Sequence, residues 1–232
     1  MKKNIVVLSG AGISAESGIN TFRDADALWE GHDVMEVASP LGWQKNPALV
    51  LDFYNQRRKQ LLDVFPNEGH TALVELEQYF NVCVVTQNVD DLHERAGSRD
   101  VMHIHGELLK SQSTINLDVT YPCLTDVNIG DCCELGGQLR PFIVWFGEEV
   151  PLLDAAIAKI IEADIVIVVG SSMQVYPAAG LVSFAPADSR VYYVDPKPSV
   201  NDALAQAATL EVIESTAAVG LPKLTKQLID AL

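Results

Sequence analysis

The chain has 232 residues, enough for one domain with a small insertion, and its 48% apolar content supplies a full core and excludes global disorder. With 31 acidic against 16 basic residues the net charge is −15, which argues against nucleic acid and anionic membranes, both of which bind through a broad basic face. The same field would draw in a basic peptide. No stretch approaches a membrane span, and the apolar run after Met1-Lys2-Lys3 is too short for a signal-peptide core. Cys83, Cys123, Cys132 and Cys133 show no disulfide-framework spacing. A cytoplasmic monomer is expected.

Ile5–Leu8 is predicted as a first strand, and it runs into Gly10, Gly12 and Ala15 at the spacing G-x-G-x-x-A. That is a dinucleotide fingerprint, whose backbone N–H groups can cradle a pyrophosphate at a helix start. A hydride-transferring Rossmann unit would continue to a second strand ending in an acidic residue. The segment after Gly18, INTFRDADALWEGHDVMEVASP, holds no β run of useful length, so Asp33 and Glu36 are not read as ribose ligands. The nucleotide survives that test, and hydride transfer weakens.

Pro47–Leu62 is amphipathic and predicted helical, and a second helix covers Glu68–Phe80 after Pro66-Asn67. Val82–Val85 is a second strand, ending in TQNVDD. A helix over Leu152–Glu162 precedes a third strand, Ile165–Val169, which ends in GSSMQVYPA. Val191–Val194 is a fourth, ending in DPKPS. None of the four alternates cleanly, as befits strands buried on both faces of a parallel sheet. The pattern predicts an α/β fold, a Rossmann-like doubly wound parallel sheet with a smaller inserted module, which the family resemblance described below makes a helical segment plus a degenerate zinc-ribbon-like segment. The expected division gives 1–24, 67–106 and 140–232 to the nucleotide-binding domain and 25–66 with 107–139 to the small module. Four polar or glycine-rich strand ends define one crevice, because open parallel sheets bind ligands at the carboxyl ends of their strands.

His105, in HIHGEL, has an ordinary pKa of about 6.5 that suits general-base work at neutral pH, and Gly106 after it allows close approach of a ligand. His103 is expected to face away from it and is assigned no role. Gln87, Asn88 and Asp90 carry the amide and carboxylate chemistry that reads a carboxamide and ribose hydroxyls. Asp91 and His93 are read as capping or solvated residues.

GAGISAESGINTFRD, TQNVDDLHERAG, HIHGEL, LRPFIVWFGE and GSSMQVYPA stand in the order and spacing of the sirtuins, the NAD-dependent protein-lysine deacylases. The chain resembles that family from about Lys3 to its C-terminus. The resemblance implies that NAD is consumed as a co-substrate. The acyl-lysine oxygen attacks the ribose carbon bearing nicotinamide, and His105 then deprotonates a ribose hydroxyl, giving free lysine and 2′-O-acyl-ADP-ribose. It places Asn88 and Asp90 at the nicotinamide and its ribose. Gly10, Ala11 and Gly12 fall at the diphosphate, with Ser14 and Glu16 nearby, and Phe22 and Arg23 in the cofactor loop that follows. Gly170, Ser171 and Ser172 form a second nucleotide contact, Asp195 a ribose contact, and Ala217 an adenine-side contact. Val144, Trp145, Phe146, Gly147 and Glu148 match the segment that pairs with the substrate peptide by strand addition.

Tyr54 and Arg57 lie three residues apart, on one helix face. A phenol beside a guanidinium can hold a carboxylate, and this Y-x-x-R pair resembles that of sirtuins acting on succinyl- and malonyl-lysine. Acetyl-lysine would fit as well, and the small Ala25 and Ala27 leave room for a bulkier chain. Arg58 and Lys59 are expected to be exposed. Most relatives carry two C-x-x-C pairs for a structural zinc. Here the first is absent and DCCELGG places Leu135 at the fourth position of the second, so zinc is not expected, and Leu124, Ile129 and Leu135 are expected to fill a small apolar core instead. The competing readings are a mono-ADP-ribosyltransferase or NAD glycohydrolase, and a non-catalytic NAD-binding module.

Overall fold

The computed structural model describes residues 2–20 and 28–232. Phe22, Arg23, Ala25 and Ala27 lie outside the described residues.

A six-stranded parallel sheet forms the body of the molecule, in the order β11-β10-β9-β1-β4-β5. Its strands are β1 (Asn4–Ser9), β4 (Asn81–Thr86), β5 (Val101–His103), β9 (Ile165–Val169), β10 (Arg190–Asp195) and β11 (Leu210–Glu214). From β1 the chain moves outward to β4 and β5, then crosses to β9 on the other side of β1 and moves outward again. The direction of winding therefore reverses between β1 and β9, the switch point at which such sheets bind ligands.

Alternation along the central strands divides the core in two. Ile5 and Val7 of β1 point to one face, where they join Leu73 and Leu76 of α4 (Glu68–Leu76) and Leu221 and Leu224 of α8 (Ala217–Asp230). Val6 and Leu8 point to the other, against Ala156 and Ile160 of α6 (Leu153–Ile161) and Leu181 and Val182 of a 3-10 helix over Ala178–Phe184. A short α7 (Asp202–Ala205) completes that side. The four expected strands are present. The short edge strands β5 and β11, and α8, were not anticipated.

The smaller part is built from α1 (Val34–Val37), α2 (Pro40–Lys45), α3 (Pro47–Asp63) and an antiparallel sheet in the order β7-β6-β8. That sheet comprises β6 (Gly106–Ser113), β7 (Thr120–Pro122) and β8 (Leu139–Ile143). Two two-residue strands, β2 (Leu28–Trp29) and β3 (His32–Asp33), pair ahead of α1, and α5 (Leu92–Ala96) follows β4. Helix α3 starts cleanly because Asn46 Oδ1 accepts from Leu49 N at 3.2 Å and Pro47 occupies its first turn. Its Val50, Phe53, Tyr54 and Leu61 pack with Leu108, Ile143 and Trp145 of the sheet side.

Two expectations about this part are corrected. Arg58 is 1% exposed, not solvated. Its Nε donates to the Leu108 carbonyl at 3.2 Å and its Nη1 to Asn55 Oδ1 at 2.7 Å. Asn55 in turn exchanges two hydrogen bonds with the backbone of Val127, each 2.9 Å. Leu124, Ile129 and Leu135 are exposed rather than core. The apolar contact is made instead by Cys123 and Val127 against Leu51 of α3. Lys59 is exposed as expected, paired with Asp126 at 2.8 Å.

Candidate active site

The loop after β1 and the loop after β9 interlock at the switch point. Gly10 N donates to the Val169 carbonyl at 3.0 Å and Gly12 N to the Gly170 carbonyl at 2.8 Å. A Cβ on Gly12 would meet Gly170 Cα at 2.6 Å. Gly170 has φ +59, and a Cβ there would fall 2.2 Å from Ile13 N. Only glycines let these backbones approach so closely. The loop itself makes two single-turn 3-10 helices, Ala11–Ile13 and Ala15–Ser17. Asn67, the N-cap of α4, bolts it down by donating to the Ile13 carbonyl at 2.8 Å and Ser17 Oγ at 2.9 Å. Glu16 accepts from Ala218 N at 2.8 Å, which brings the start of α8 and Ala217 to the same corner.

The turn after β4 lies alongside. Asn88 Nδ2 donates to Ser14 Oγ at 3.2 Å, and Ser14 Oγ donates to Asp90 Oδ2 at 3.0 Å. Asp90 Oδ1 accepts from Leu92 N at 3.1 Å. All three side chains are buried, and burial raises the Asp90 carboxyl above its ordinary value. Gln87 Nε2 donates to Ser171 Oγ at 3.2 Å, tying this turn to the loop after β9, where Ser172 follows half-buried. Asp195, 1% exposed at the end of β10, accepts from Lys197 N at 2.8 Å.

His105 stands where β5 passes into β6. Its Nδ1 is 3.3 Å from the Gln87 carbonyl, which can only accept, so Nδ1 carries the proton and Nε2 keeps its lone pair. Burial holds its pKa below the ordinary histidine value, so the ring is neutral at pH 7. Gly106 has φ +85, and a Cβ there would sit 2.2 Å from the Phe142 carbonyl. The glycine thus lets β8 close against the histidine.

His103 is corrected. Its Nδ1 reaches the Asn88 carbonyl at 2.8 Å, one residue beyond the carbonyl held by His105. His93 is corrected too: it is fully buried, and its Nε2 lies 2.9 Å from Ser9 Oγ. Asp91 stands at the N-cap of α5 without making a side-chain cap.

Val144–Phe146 follows β8 and bridges two parts of the fold. Val144 N donates to the His105 carbonyl at 2.9 Å and Phe146 N to the Ala38 carbonyl at 3.0 Å. Trp145 is buried beneath it, with the Arg140 guanidinium 3.5 Å above its ring centroid. Glu148 grips Arg140 through both oxygens, at 2.7 and 3.0 Å, and accepts from Trp145 N at 2.8 Å. Gly147 between them has φ +93.

The profile of the Sir2 family matches residues 10–177. The chain belongs to the Sir2 family. An NAD-dependent protein deacylase of Helicobacter pylori is 60% identical over 195 residues, spanning 84% of this chain and 85% of that protein. One of Bacteroides thetaiotaomicron is 50% identical over 235 residues, 99% of each. A solved Sir2 homologue–NAD complex is 36% identical with a TM-score of 0.87, covering 99% of this chain and 90% of that one. A Sir2 protein bound to acetylated peptide is 28% identical with a TM-score of 0.77, covering 98% and 92%.

In this Sir2 protein Tyr54 and Arg57 both lie on α3, Tyr54 buried and Arg57 half-buried. Tyr54 is 1% exposed and accepts from Trp145 Nε1 at 3.1 Å. Burial drives the phenol's pKa well up, so it stays protonated. The Arg57 guanidinium lies 5.3 Å from the Phe53 ring centroid. Its Nη1 is 3.1 Å from Glu30 Oε1, an ion pair made off the N–H axis, and buried Nε and Nη1 have no hydrogen-bond partner among the described residues. Among the described residues no three His, Cys, Asp or Glu side chains cluster as metal ligands. Cys123 packs on Leu51, and Cys133 Sγ lies 3.3 Å from Ser113 Oγ.

Proposed function

We propose that the chain is an NAD-dependent protein-lysine deacylase that removes acetyl and also succinyl or malonyl groups, releasing nicotinamide and 2′-O-acyl-ADP-ribose. The observation that carries this reading is His105. It is neutral, with its unprotonated Nε2 fixed by the Nδ1–carbonyl bond to Gln87, and the polar cluster of Asn88, Ser14 and Asp90 is tied to the same turn. The glycine interlock has no room for a Cβ, as the binding of a diphosphate against bare backbone requires. NAD would lie there, held also by Ala11, Ser171, Ser172, Asp195 and Ala217, with Phe22 and Arg23 in the adjoining loop. When bound it supplies the labile nicotinamide–ribose bond. Asn88 and Asp90 orient the nicotinamide end, and His105 Nε2 takes the proton of a ribose hydroxyl. The acyl-lysine peptide adds as a strand along Val144–Phe146, beside Gly147 and Glu148. Arg57 holds an acyl carboxylate through its two open donors, with the Tyr54 phenol beside it.

In this reading residues 25–66 and 107–139 act as one small module on a nucleotide-binding domain of 1–24, 67–106 and 140–232, without zinc. The net charge of −15 favours lysine-bearing protein substrates over nucleic acid or membranes, and the enzyme works as a cytoplasmic monomer. The test is product identification by mass spectrometry after incubation with NAD and acetyl- or succinyl-lysine peptide. Acyl-ADP-ribose supports the proposal. Nicotinamide release without any need for peptide, or ADP-ribose left on the peptide, would replace it with glycohydrolase or transferase activity.

A further inference from the structure

His103 is bound at both ring nitrogens by groups that can only accept. Nδ1 is 2.8 Å from the Asn88 carbonyl, and Nε2 is 2.7 Å from Glu94 Oε1. A carbonyl has no proton to give, and an ionised carboxylate has none either. Both nitrogens therefore donate in this arrangement, in which His103 is an imidazolium facing an ionised Glu94. Burial opposes that charge, yet the Glu94 carboxylate holds the His103 pKa above the ordinary histidine value. In the same way burial opposes the Glu94 charge, and His103 holds Glu94 below the usual carboxylate range. The other titratable groups around the ring are Glu107 on β6, itself paired with Lys110 at 2.7 Å, and the buried Asp90 and His93.

The peptide groups of Asn88 are held from both sides. Its N–H donates to Thr86 Oγ1 at 3.0 Å, and Thr86 Oγ1 also accepts from Ser9 Oγ at 2.8 Å. Its carbonyl is the one gripped by His103. The preceding carbonyl, Gln87, is gripped by His105. Two histidines, one at the end of β5 and one in the turn that follows it, thus fix two successive carbonyls of the turn that carries Asn88.

We propose that His103, clamped between Glu94 and the Asn88 carbonyl, is a positioning residue that holds the Asn88 turn in its nucleotide-facing arrangement. This rests on the reading of the crevice as an NAD site and adds to it a role for His103 and Glu94. The two histidines then have opposite pH dependence. His105 works neutral, so activity appears as pH rises through its lowered pKa. The His103 clamp is fully present below the unfolded value of about 6.5 and is lost as pH rises through its raised pKa.

The experiment follows the histidine ring nitrogens of the full-length protein by 15N NMR across pH, beside the KM for NAD of wild type, His103→Gln, Glu94→Gln and Glu94→Asp. Wild-type His103 is expected doubly protonated at pH 7, with KM rising on the alkaline side. Glu94→Gln keeps an acceptor at Nε2 but removes the charge, so it moves that alkaline limb to lower pH and leaves the acid limb of kcat in place. Glu94→Asp restores the limb in part. His103→Gln raises KM about tenfold, the size of one charge-assisted hydrogen bond, with kcat little changed. A neutral His103 at pH 7, or NAD turnover whose KM ignores both pH and these substitutions, overturns the proposal alone. A wild-type protein that neither binds nor turns over NAD overturns the deacylase reading and this proposal together.

Discussion

The crevice at the switch point and the module beside it are held by different means. In the crevice, backbone meets backbone: glycines interlock two loops, and short polar side chains finish the contact. The four central strands behind it, β1, β4, β9 and β10, are buried on both faces. The small module instead leans on one charged side chain, Arg58, buried among the Leu108 carbonyl, Asn55 and the Val127 backbone, while Leu124, Ile129 and Leu135 remain exposed. The first arrangement tolerates little change because no side chain can be traded away. The second concentrates its vulnerability in one network. Chemistry and module stability should therefore separate under mutation.

The largest effect is expected at His105. Removing a general base costs about 10²–10⁴-fold in rate, so His105→Ala should lose deacylation on that scale while calorimetry shows NAD affinity and Tm nearly unchanged. Loss of NAD affinity in step with rate would mean that the histidine serves the fold of the crevice instead. The converse experiment is Arg58→Ala. It strands the Leu108 carbonyl and Asn55 in a buried setting, which costs on the order of 2–4 kcal/mol. Thermal unfolding should record that loss, and NAD affinity should hold. An unchanged Tm would show that the module draws its stability from elsewhere.

Arg57 sits on the same helix, one residue earlier, and marks where module and chemistry meet. Arg57→Met should lower kcat/KM for succinyl-lysine peptide by about 10–100-fold, as loss of a charge-assisted bidentate contact does, with acetyl-lysine turnover largely kept. Equal losses on both peptides would remove the carboxylate role. The smallest effect lies beneath the crevice. His70 and His93 are both fully buried and their rings stack edge to face at 5.0 Å. Burial pushes His70 down to about 4 and His93 well below the ordinary value. The unfolded chain takes up those protons from about pH 6.5 downward, so stability is full above that value and falls as pH drops toward 4, by roughly 2–3 kcal/mol for His70. His70→Asn keeps an acceptor for the Asn67 N–H and should flatten part of that slope in a Tm–pH series. A parallel slope in the variant would assign the acid loss to other groups.

How much of this could be read beforehand follows the same division. Strands buried on both faces leave continuous β-branched runs, and close backbone approach leaves glycines, so β1, β4, β9, β10 and their loops were legible. The edge strand β11 reads LEVIE with only partial burial, and α8 carries Gly220 and Pro222, so neither announced itself. Arg58 was misread because a charge on an amphipathic helix is usually solvated, and its partners lie 50 residues or more along the chain, or reach it through Asn55. His103 was misread because β5 ends at it and the chain turns through Ile104 and His105, so strand alternation does not carry over from one histidine to the other. The open donors of Arg57, by contrast, are a property of three-dimensional packing that no spacing reveals.

The central claim is that the crevice breaks NAD and that His105 acts as the base within it. Single-turnover analysis of His105→Ala with NAD and acetyl-lysine peptide tests this most directly. If the base acts after nicotinamide has left, nicotinamide release should persist while free lysine and acyl-ADP-ribose fall to trace levels. Deacylation at the wild-type rate in that variant would contradict the account.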